Sequence, residues 1–222
     1  MQSETTIIGI GGAGAHFLQY MVCNSEIDIQ MALIDSDKMI LKHLSEKILK
    51  IEIPSEGHSP SACHKAAQNS QEKIAASLDG KKLVIIVSGL GGNTGSGIAP
   101  YVAELAKEYG ICVVVMALIP FTFEGAKRSK MANESLLELA NNSDCIFRFK
   151  NDIFISLAPK GTSFTGLMQK THEYIYNYID IITNIDAEIL KEILNKNRLP
   201  TNVEVDIETE SMLRNSISSQ DS

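Results

Sequence analysis

The sequence predicts an α/β fold, a doubly wound, mostly parallel sheet covered by helices. Three observations lead there. Short apolar, β-branched runs alternate with helical patterns along most of the chain. Two glycine-rich turns, Gly9-Ile-Gly-Gly-Ala-Gly14 and Ser88-Gly-Leu-Gly-Gly-Asn-Thr-Gly-Ser-Gly97, each join such a run to a helix. Ile111 to Ile119 is apolar throughout between Gly110 and Pro120, the pattern of a strand buried on both faces. Short connections make successive strands parallel, so both glycine turns fall at the strands' carboxyl ends, where such sheets hold their ligands.

In order, Thr6 to Ile10 is the first strand, followed by a helix through Val22, and Ala32 to Asp35 ends the second strand. Lys47 to Ile53 reads as a third, and Pro54 to Pro60 as a loop of turn formers. Ser61 is the expected cap of a helix that carries Ala62, Ala66, Ala67, Ile74 and Leu78 and ends at Asp79-Gly80. Leu83 to Val87 is the strand before the second turn, and Ile98 to Tyr109 the helix after it. Beyond Ile119, Pro120-Phe-Thr-Phe-Glu-Gly125 leads into a helix with Lys127, Arg128 and Lys130 on its polar side. Asp144 to Lys150 is a strand, Asn151-Asp152 a turn, Phe164 to Ile182 a long helix and Ala187 to Lys196 a shorter one. Residues 1–198 form one domain on this reading, and residues 199–222, with Pro200, many acids and a Ser-rich close, a largely disordered tail.

At 222 residues and 44% hydrophobic content the chain suffices for one domain with a sizeable core. Its net charge of -7, with no Lys/Arg cluster, argues against a nucleic-acid surface. Four cysteines without metal-ligand spacing read as buried, reduced thiols, which points to the cytoplasm. His58 and His64 read as exposed polar residues. No signal peptide opens the chain, and no segment approaches the length of a membrane span.

The chemistry lies in the glycine turns. Without Cβ atoms the backbone bends tightly and turns successive N–H groups toward phosphate oxygens, and the following helix adds the positive end of its dipole. Thr94 and Ser96 add hydroxyl donors. No Lys follows Gly97, so this is not the G-x-x-x-x-G-K-[ST] loop, and charge is met by amides, hydroxyls and a phosphate-bound divalent cation. Taken alone, Gly9, Gly11 and Gly14 with Asp35 also fit the dinucleotide fingerprint. That keeps an NAD-dependent oxidoreductase as a remote alternative, one that leaves the second turn unexplained. Asp35 and Asp37 equally suit strand-end solvation and helix capping.

Taken together, these motifs resemble the tubulin/FtsZ family. Gly91-Gly-Asn-Thr-Gly-Ser-Gly97 is similar to its signature G-G-G-T-G-[ST]-G, with Asn93 at the third glycine. Gly9 to Gly14 resembles its first phosphate loop, and Pro120 to Gly125 with Arg128 and Asn151-Asp152 resembles the bacterial FtsZ branch. The resemblance implies GTP or GDP, with Mg2+ carried on its phosphates. Gly11, Gly12, Ala13 and Gly14 with Gly91, Gly92, Asn93, Thr94, Gly95, Ser96 and Gly97 would surround the phosphates, and Pro120, Glu124 and Arg128 would face ribose and phosphate. Asp35 and Asp37 stand in the second nucleotide loop, and Asn151 falls at the base. His16 and Gln169 stand where the family has base-reading Asn and Asp. Asn184 and Asp186 are similar to the start of the family's Asn-x-Asp-x-x-Asp loop, which completes the hydrolytic site of a neighbouring subunit, but Ile189 holds the place of the second acid. The partners implied are a guanine nucleotide and either further copies of the chain or an FtsZ-like relative. The role implied is a GTPase of cell division, or alternatively a scaffold or regulator that binds nucleotide without hydrolysing it.

Overall fold

Seven strands form one sheet in the order β3-β2-β1-β4-β5-β6-β7, and every neighbouring pair is parallel. The computed structural model describes residues 4–54, 57–195 and 202–205. The strands are β1 (Thr5–Ile10), β2 (Gln30–Asp35), β3 (Ile48–Glu52), β4 (Leu83–Gly89), β5 (Cys112–Ile119), β6 (Cys145–Lys150) and β7 (Asn202–Glu204). The helices are α1 (Gly11–Asn24), α2 (Lys38–Lys42), α3 (Pro60–Asn69), α4 (Gln71–Leu78), α5 (Asn93–Glu108), α6 (Ala126–Asn141), α7 (Asn151–Leu157), α8 (Phe164–Thr183) and α9 (Ala187–Asn195).

Because successive side chains of a strand point to opposite faces, each strand supplies two cores. Ile7, Leu33, Ile85, Val87, Met116 and Phe147 pack with Phe17, Leu18, Ile175, Tyr178 and Leu190, so α1, α8 and α9 cover one face. Ile8, Ile34, Ile86, Val115 and Ile146 pack with Ala67, Ile74, Val102, Leu105 and Leu136, so α3 to α6 cover the other. β4 and β5 are buried almost end to end, as their continuous apolar runs required. Among the described residues, no helix is long and apolar enough to cross a membrane.

The structure departs from the sequence reading at several places, among them His64, which is half-buried with its ring edge-on to Tyr101 at 5.5 Å. Ser59, not Ser61, caps α3, its hydroxyl accepting from the Ala62 N–H at 3.1 Å with Pro60 at the first helical position. The expected single helix breaks at Ser70, which leaves the helical region between α3 and α4. Asn151-Asp152 opens α7 rather than forming a turn. The expected disordered tail instead begins with a strand, because Asn202 to Glu204 pairs with β6 and Arg148 and Lys150 reach Glu204 at 3.5 and 2.5 Å. The remainder of that expected tail, residues 199–201 and 206–222, lies outside the described residues. Of the four cysteines, Cys63, Cys112 and Cys145 are buried, while Cys23, on the last turn of α1, is exposed.

Close backbone approach fixes where α5 starts. A Cβ on Gly95 would lie 2.1 Å from the Gly89 carbonyl oxygen, and one on Gly97 2.2 Å from that of Pro60. Helix α5 is thus seated against the end of β4 on one side and the start of α3 on the other. Gly12 and Gly92 differ, since an added Cβ meets nothing within 4 Å at either. Gly95→Ala and Gly97→Ala are therefore expected to lower unfolding free energy by at least about 2 kcal/mol in urea titrations, whereas Gly12→Ala stays within about 0.5 kcal/mol of wild type or gains helix propensity and Gly92→Ala, at the residue preceding α5, costs less than about 1 kcal/mol.

His172 gives stability a pH dependence. It is 9% exposed, its ring meets Phe17 edge-on at 5.9 Å and Tyr20 at 5.6 Å, and burial, aided by nearby His16, lowers its pKa from 6.5 to about 4. The unfolded chain takes up this proton near pH 6.5 while the folded chain resists to about pH 4. The contribution is complete above pH 6.5 and is lost as pH falls through that window, about 3 kcal/mol in all. His172→Leu should remove this part of the acid sensitivity, measured as the difference in unfolding free energy between pH 7 and about pH 4.

Candidate functional site

Two helix N-termini face one another across the carboxyl edge of the sheet. β1 ends at Ile10 and α1 begins at Gly11, whose φ of +70° places it in the left-handed region. β4 ends at Gly89, Gly91 turns the chain with φ +88°, and α5 begins at Asn93. Ile10 and Gly92, the residues preceding the two helices, contribute no side-chain cap, and neither helix has an acid in its first turn. The N-terminal amides and the positive dipole ends are thus not countered by a carboxylate in the first turn of either helix. β1 and β4 are neighbours, with Ile10 opposite Ser88, so the two turns lie side by side. A Cβ on Gly11 would sit 3.5 Å from Thr94 Cβ and 3.6 Å from the Gly95 nitrogen.

A cleft of about 510 Å³ opens over these turns. Gly11, Gly12 and Ala13 line it from α1, Gly92, Asn93, Thr94 and Gly95 from α5, and Pro120, Glu124, Arg128 and Asn151 from beyond β5 and β6. Gly12 and Gly92, whose added Cβ atoms would meet no protein atom, are both on this lining. Arg128 Nη1 is paired with Glu124 Oε2, and the other Glu124 oxygen accepts the Phe121 N–H at 2.8 Å. Asn151 is 9% exposed, and its Oδ1 has no hydrogen-bond partner among the described residues. Such a buried acceptor carries a desolvation penalty until a donor arrives.

Other expected site residues do different work. Ser96 Oγ accepts the Gly91 N–H at 2.8 Å and bridges the turn from behind, buried at 4% exposure. Gly14 packs against Gly9, and Gly97 against Pro60. Asp35 is 2% exposed, and its Oδ1 accepts the Asp37 N–H at 3.0 Å. Burial pushes its carboxyl above the usual range, more than the hydrogen bonds from Asp37 and Ser36 lower it. Its other oxygen has no hydrogen-bond partner among the described residues, but unlike Asn151 the side chain is not on the lining of the cleft, which weakens the feature on which the oxidoreductase alternative rested. Asp37 caps α2 through the Met39 N–H at 2.8 Å. His16 opens onto a neighbouring pocket with Gln19, Met39 and His43. Gln169 is exposed, with its amide 3.5 Å from Glu173.

Asn184 and Asp186 lie at the opposite edge of the sheet. Glu188 is 4.0 Å from Lys82, just ahead of β4, and Lys191 donates to the Gly110 carbonyl, just ahead of β5, at 3.1 Å. Asn184 donates to the Asp180 carbonyl at 2.8 Å, and Asp186 Oδ1 caps α9 through the Glu188 and Ile189 N–H groups at 2.9 and 3.3 Å. Helix α8, about 30 Å long at its standard rise, begins beside the cleft and ends at this far edge.

Sequence reasoning assigned no role to Phe121, Phe123, Phe164 and Met168, which also line the cleft. Phe121 stacks on Phe123 at 4.9 Å and meets Phe164 at 5.9 Å. Phe123 and Phe164 are 71% and 60% exposed, more than packing alone asks of two aromatic rings. The signal was the spacing of Phe164 and Met168, four apart on α8 and so on one helix face, which leaves Gln169 off that face.

The family described as "Tubulin/FtsZ family, GTPase domain" matches residues 4–159. The chain is 31% identical over 185 residues to the cell division protein FtsZ of Pseudomonas putida, covering 81% of this chain and 46% of that protein. It is 33% identical over 164 residues to the FtsZ of Buchnera aphidicola, covering 71% and 42%. It thus spans about half the length of the curated relatives it matches. Among solved structures, an empty FtsZ dimer from M. jannaschii matches with TM-score 0.78 and 26% identity over 88% of this chain and 61% of that one. GDP-bound CetZ1 from Haloferax volcanii, 23% identical, shares the fold at TM-score 0.72 over 86% and 58%. By sequence and by fold, the chain belongs to the tubulin/FtsZ family, of which it carries the GTPase domain.

Proposed function

We propose that this domain binds a guanine nucleotide, GTP or GDP, in the cleft between α1 and α5. The observation that carries the proposal is the meeting of two helix N-termini, without side-chain caps or first-turn acids, over one cleft. The phosphates lie over Gly11, Gly12, Gly92, Asn93 and Thr94, where backbone N–H groups replace their hydration. The nucleoside extends past Pro120, Glu124 and Arg128 toward Asn151, Phe164 and Met168. Asn151 Oδ1 supplies an acceptor for the base N–H groups, and the exposed Phe164 ring a surface for stacking.

Mg2+ fits this donor set only through the nucleotide. The acid on the cleft lining, Glu124, is paired with Arg128, and the described residues hold no cluster of three or more metal-ligating side chains. Bound in that way, the ion would neutralise charge on the phosphates.

Hydrolysis belongs between copies of the chain. Asn184 and Asp186 stand at the sheet edge away from the cleft, so one molecule cannot bring them to its own nucleotide, while a second copy stacked edge to edge can. The relative solved as an FtsZ dimer is consistent with such stacking. Ile189 in place of a second acid, and the engagement of Asp186 as a cap, favour slow turnover and keep open a scaffold role in FtsZ-like assemblies.

Denaturing the purified protein and identifying the released nucleotide by chromatography tests the occupant directly, and guanine nucleotide is expected. Gly12→Ala and Gly92→Ala, both mild for stability, should each weaken GDP binding by about tenfold or more in calorimetry, because the new methyl stands where a phosphate would lie. Unchanged affinity would place the ligand elsewhere. Turnover per molecule should rise with protein concentration, and Asp186→Asn, which retains the cap acceptor, should lower it by about tenfold with GDP affinity intact. A rate independent of concentration would remove the shared site.

A further inference from the structure

We infer that Asp152 is a positioning residue for the nucleoside half of the cleft, acting through Thr122. This rests on the cleft being a nucleotide site, and extends it to a residue that does not line the cleft. The segment Pro120 to Gly125 crosses from β5 to α6 with one 3-10 turn, Thr122–Glu124, and no strand partner of its own. Its backbone is held from two sides by carboxylates. Glu124 turns back to accept the Phe121 N–H at 2.8 Å. Asp152, 30 residues further on in the first turn of α7, accepts the Thr122 N–H at 3.0 and 3.2 Å through its two oxygens and the Thr122 hydroxyl at 2.5 Å.

One side chain thereby ties the start of α7 to the middle of the segment between β5 and α6. The residue before Asp152 is Asn151, and those flanking Thr122 are Phe121 and Phe123. The bonds from Asp152 therefore fix the distance between the orphaned Asn151 acceptor and the wall made by Phe121, Phe123, Glu124 and Arg128. A carboxylate accepting several donors is stronger than neutral pairs, and holds two loops that would otherwise move independently. Gly91 packs against Pro120 and Arg128, but neither Asp152 nor Thr122 is among the glycine turns' close approaches, and the first turn and the start of α5 take their places from β1, β4 and the seating of α5. Loss of Asp152 should loosen the grip on base and ribose and leave the grip on phosphate intact.

The test compares wild type with Asp152→Ala, Asp152→Asn and Thr122→Val in hydrogen exchange and in binding of two probes. Exchange of the Thr122 amide should quicken in ligand-free Asp152→Ala. Its GDP Kd should rise about tenfold, while the Kd for inorganic triphosphate, measured by displacement of fluorescent GDP, stays within about twofold. Asp152→Asn keeps an acceptor oxygen and should recover part of the GDP affinity. Thr122→Val loses the hydroxyl bond alone and should fall between Asp152→Ala and wild type. Equal weakening of GDP and triphosphate would show general destabilisation and overturn the inference, as would unchanged exchange or unchanged GDP affinity in Asp152→Ala. A wild-type protein that bound no GDP would overturn the nucleotide site itself, and that result is visible before any variant is made.

Discussion

The cleft depends on how closely the start of α5 approaches the end of β4. At Gly95 and Gly97 the backbone comes so near Gly89 and Pro60 that a methyl group has no room. That contact places the α5 amides beside those of α1, and the register of β1 against β4 does the rest. A side chain at either position would push α5 away from β4 or α3 and so shift its amides relative to those of α1 across the cleft.

The glycines of the two turns have different physical reasons: Gly11 and Gly91 take up positive φ, and the others fall into two groups. Gly9, Gly14, Gly95 and Gly97 are required by protein atoms, since an added Cβ on any of them collides with backbone or a core side chain. Gly12 and Gly92 are required by nothing in the protein itself. No described residue opposes a side chain at these two positions, and the proposed occupant of the cleft would account for their lack of one. Ser96 belongs with the first group despite its hydroxyl, because it bridges to Gly91 from inside.

Much of this was legible from the sequence, and the part that was not has common causes. The parallel sheet and the shared edge of the two turns follow from alternation and short connections, both local properties of the chain, whereas the order of the strands comes from the structure alone. Cap positions such as Ser59 against Ser61 differ by two residues and are settled by which residue leaves the helical conformation, which composition does not encode. β7 was missed because its three residues sit in an acidic, proline-bearing stretch, and its place comes from backbone pairing with the distant β6 and from burial of Val203 and Val205 in the core rather than from local propensity. In the site, residues held by backbone geometry were readable, whereas Asp35, Gln169 and the aromatic wall depended on side-chain direction. Asp35 and Gly11 both stand at strand ends on one edge, yet burial turns the first inward and leaves the second facing the cleft.

Charge explains why the cleft is built of backbone. A chain of net charge -7 repels a polyphosphate at long range, and its cation on the cleft lining, Arg128, is already paired with Glu124. Attraction must therefore come from directional contacts at hydrogen-bond distance, where helix-end amides remain effective although the net field opposes them. Such a site selects by shape. Amides fixed by the seating of α5 favour an anion whose oxygens match their spacing, and the wall from Phe121 to Arg128 favours one that carries a planar group. A lysine-based site would bind a wider range of anions on charge alone. Here the rigidity of two glycine turns takes the place of positive charge, which is why displacement at Gly95 should affect binding more than loss of a surface charge.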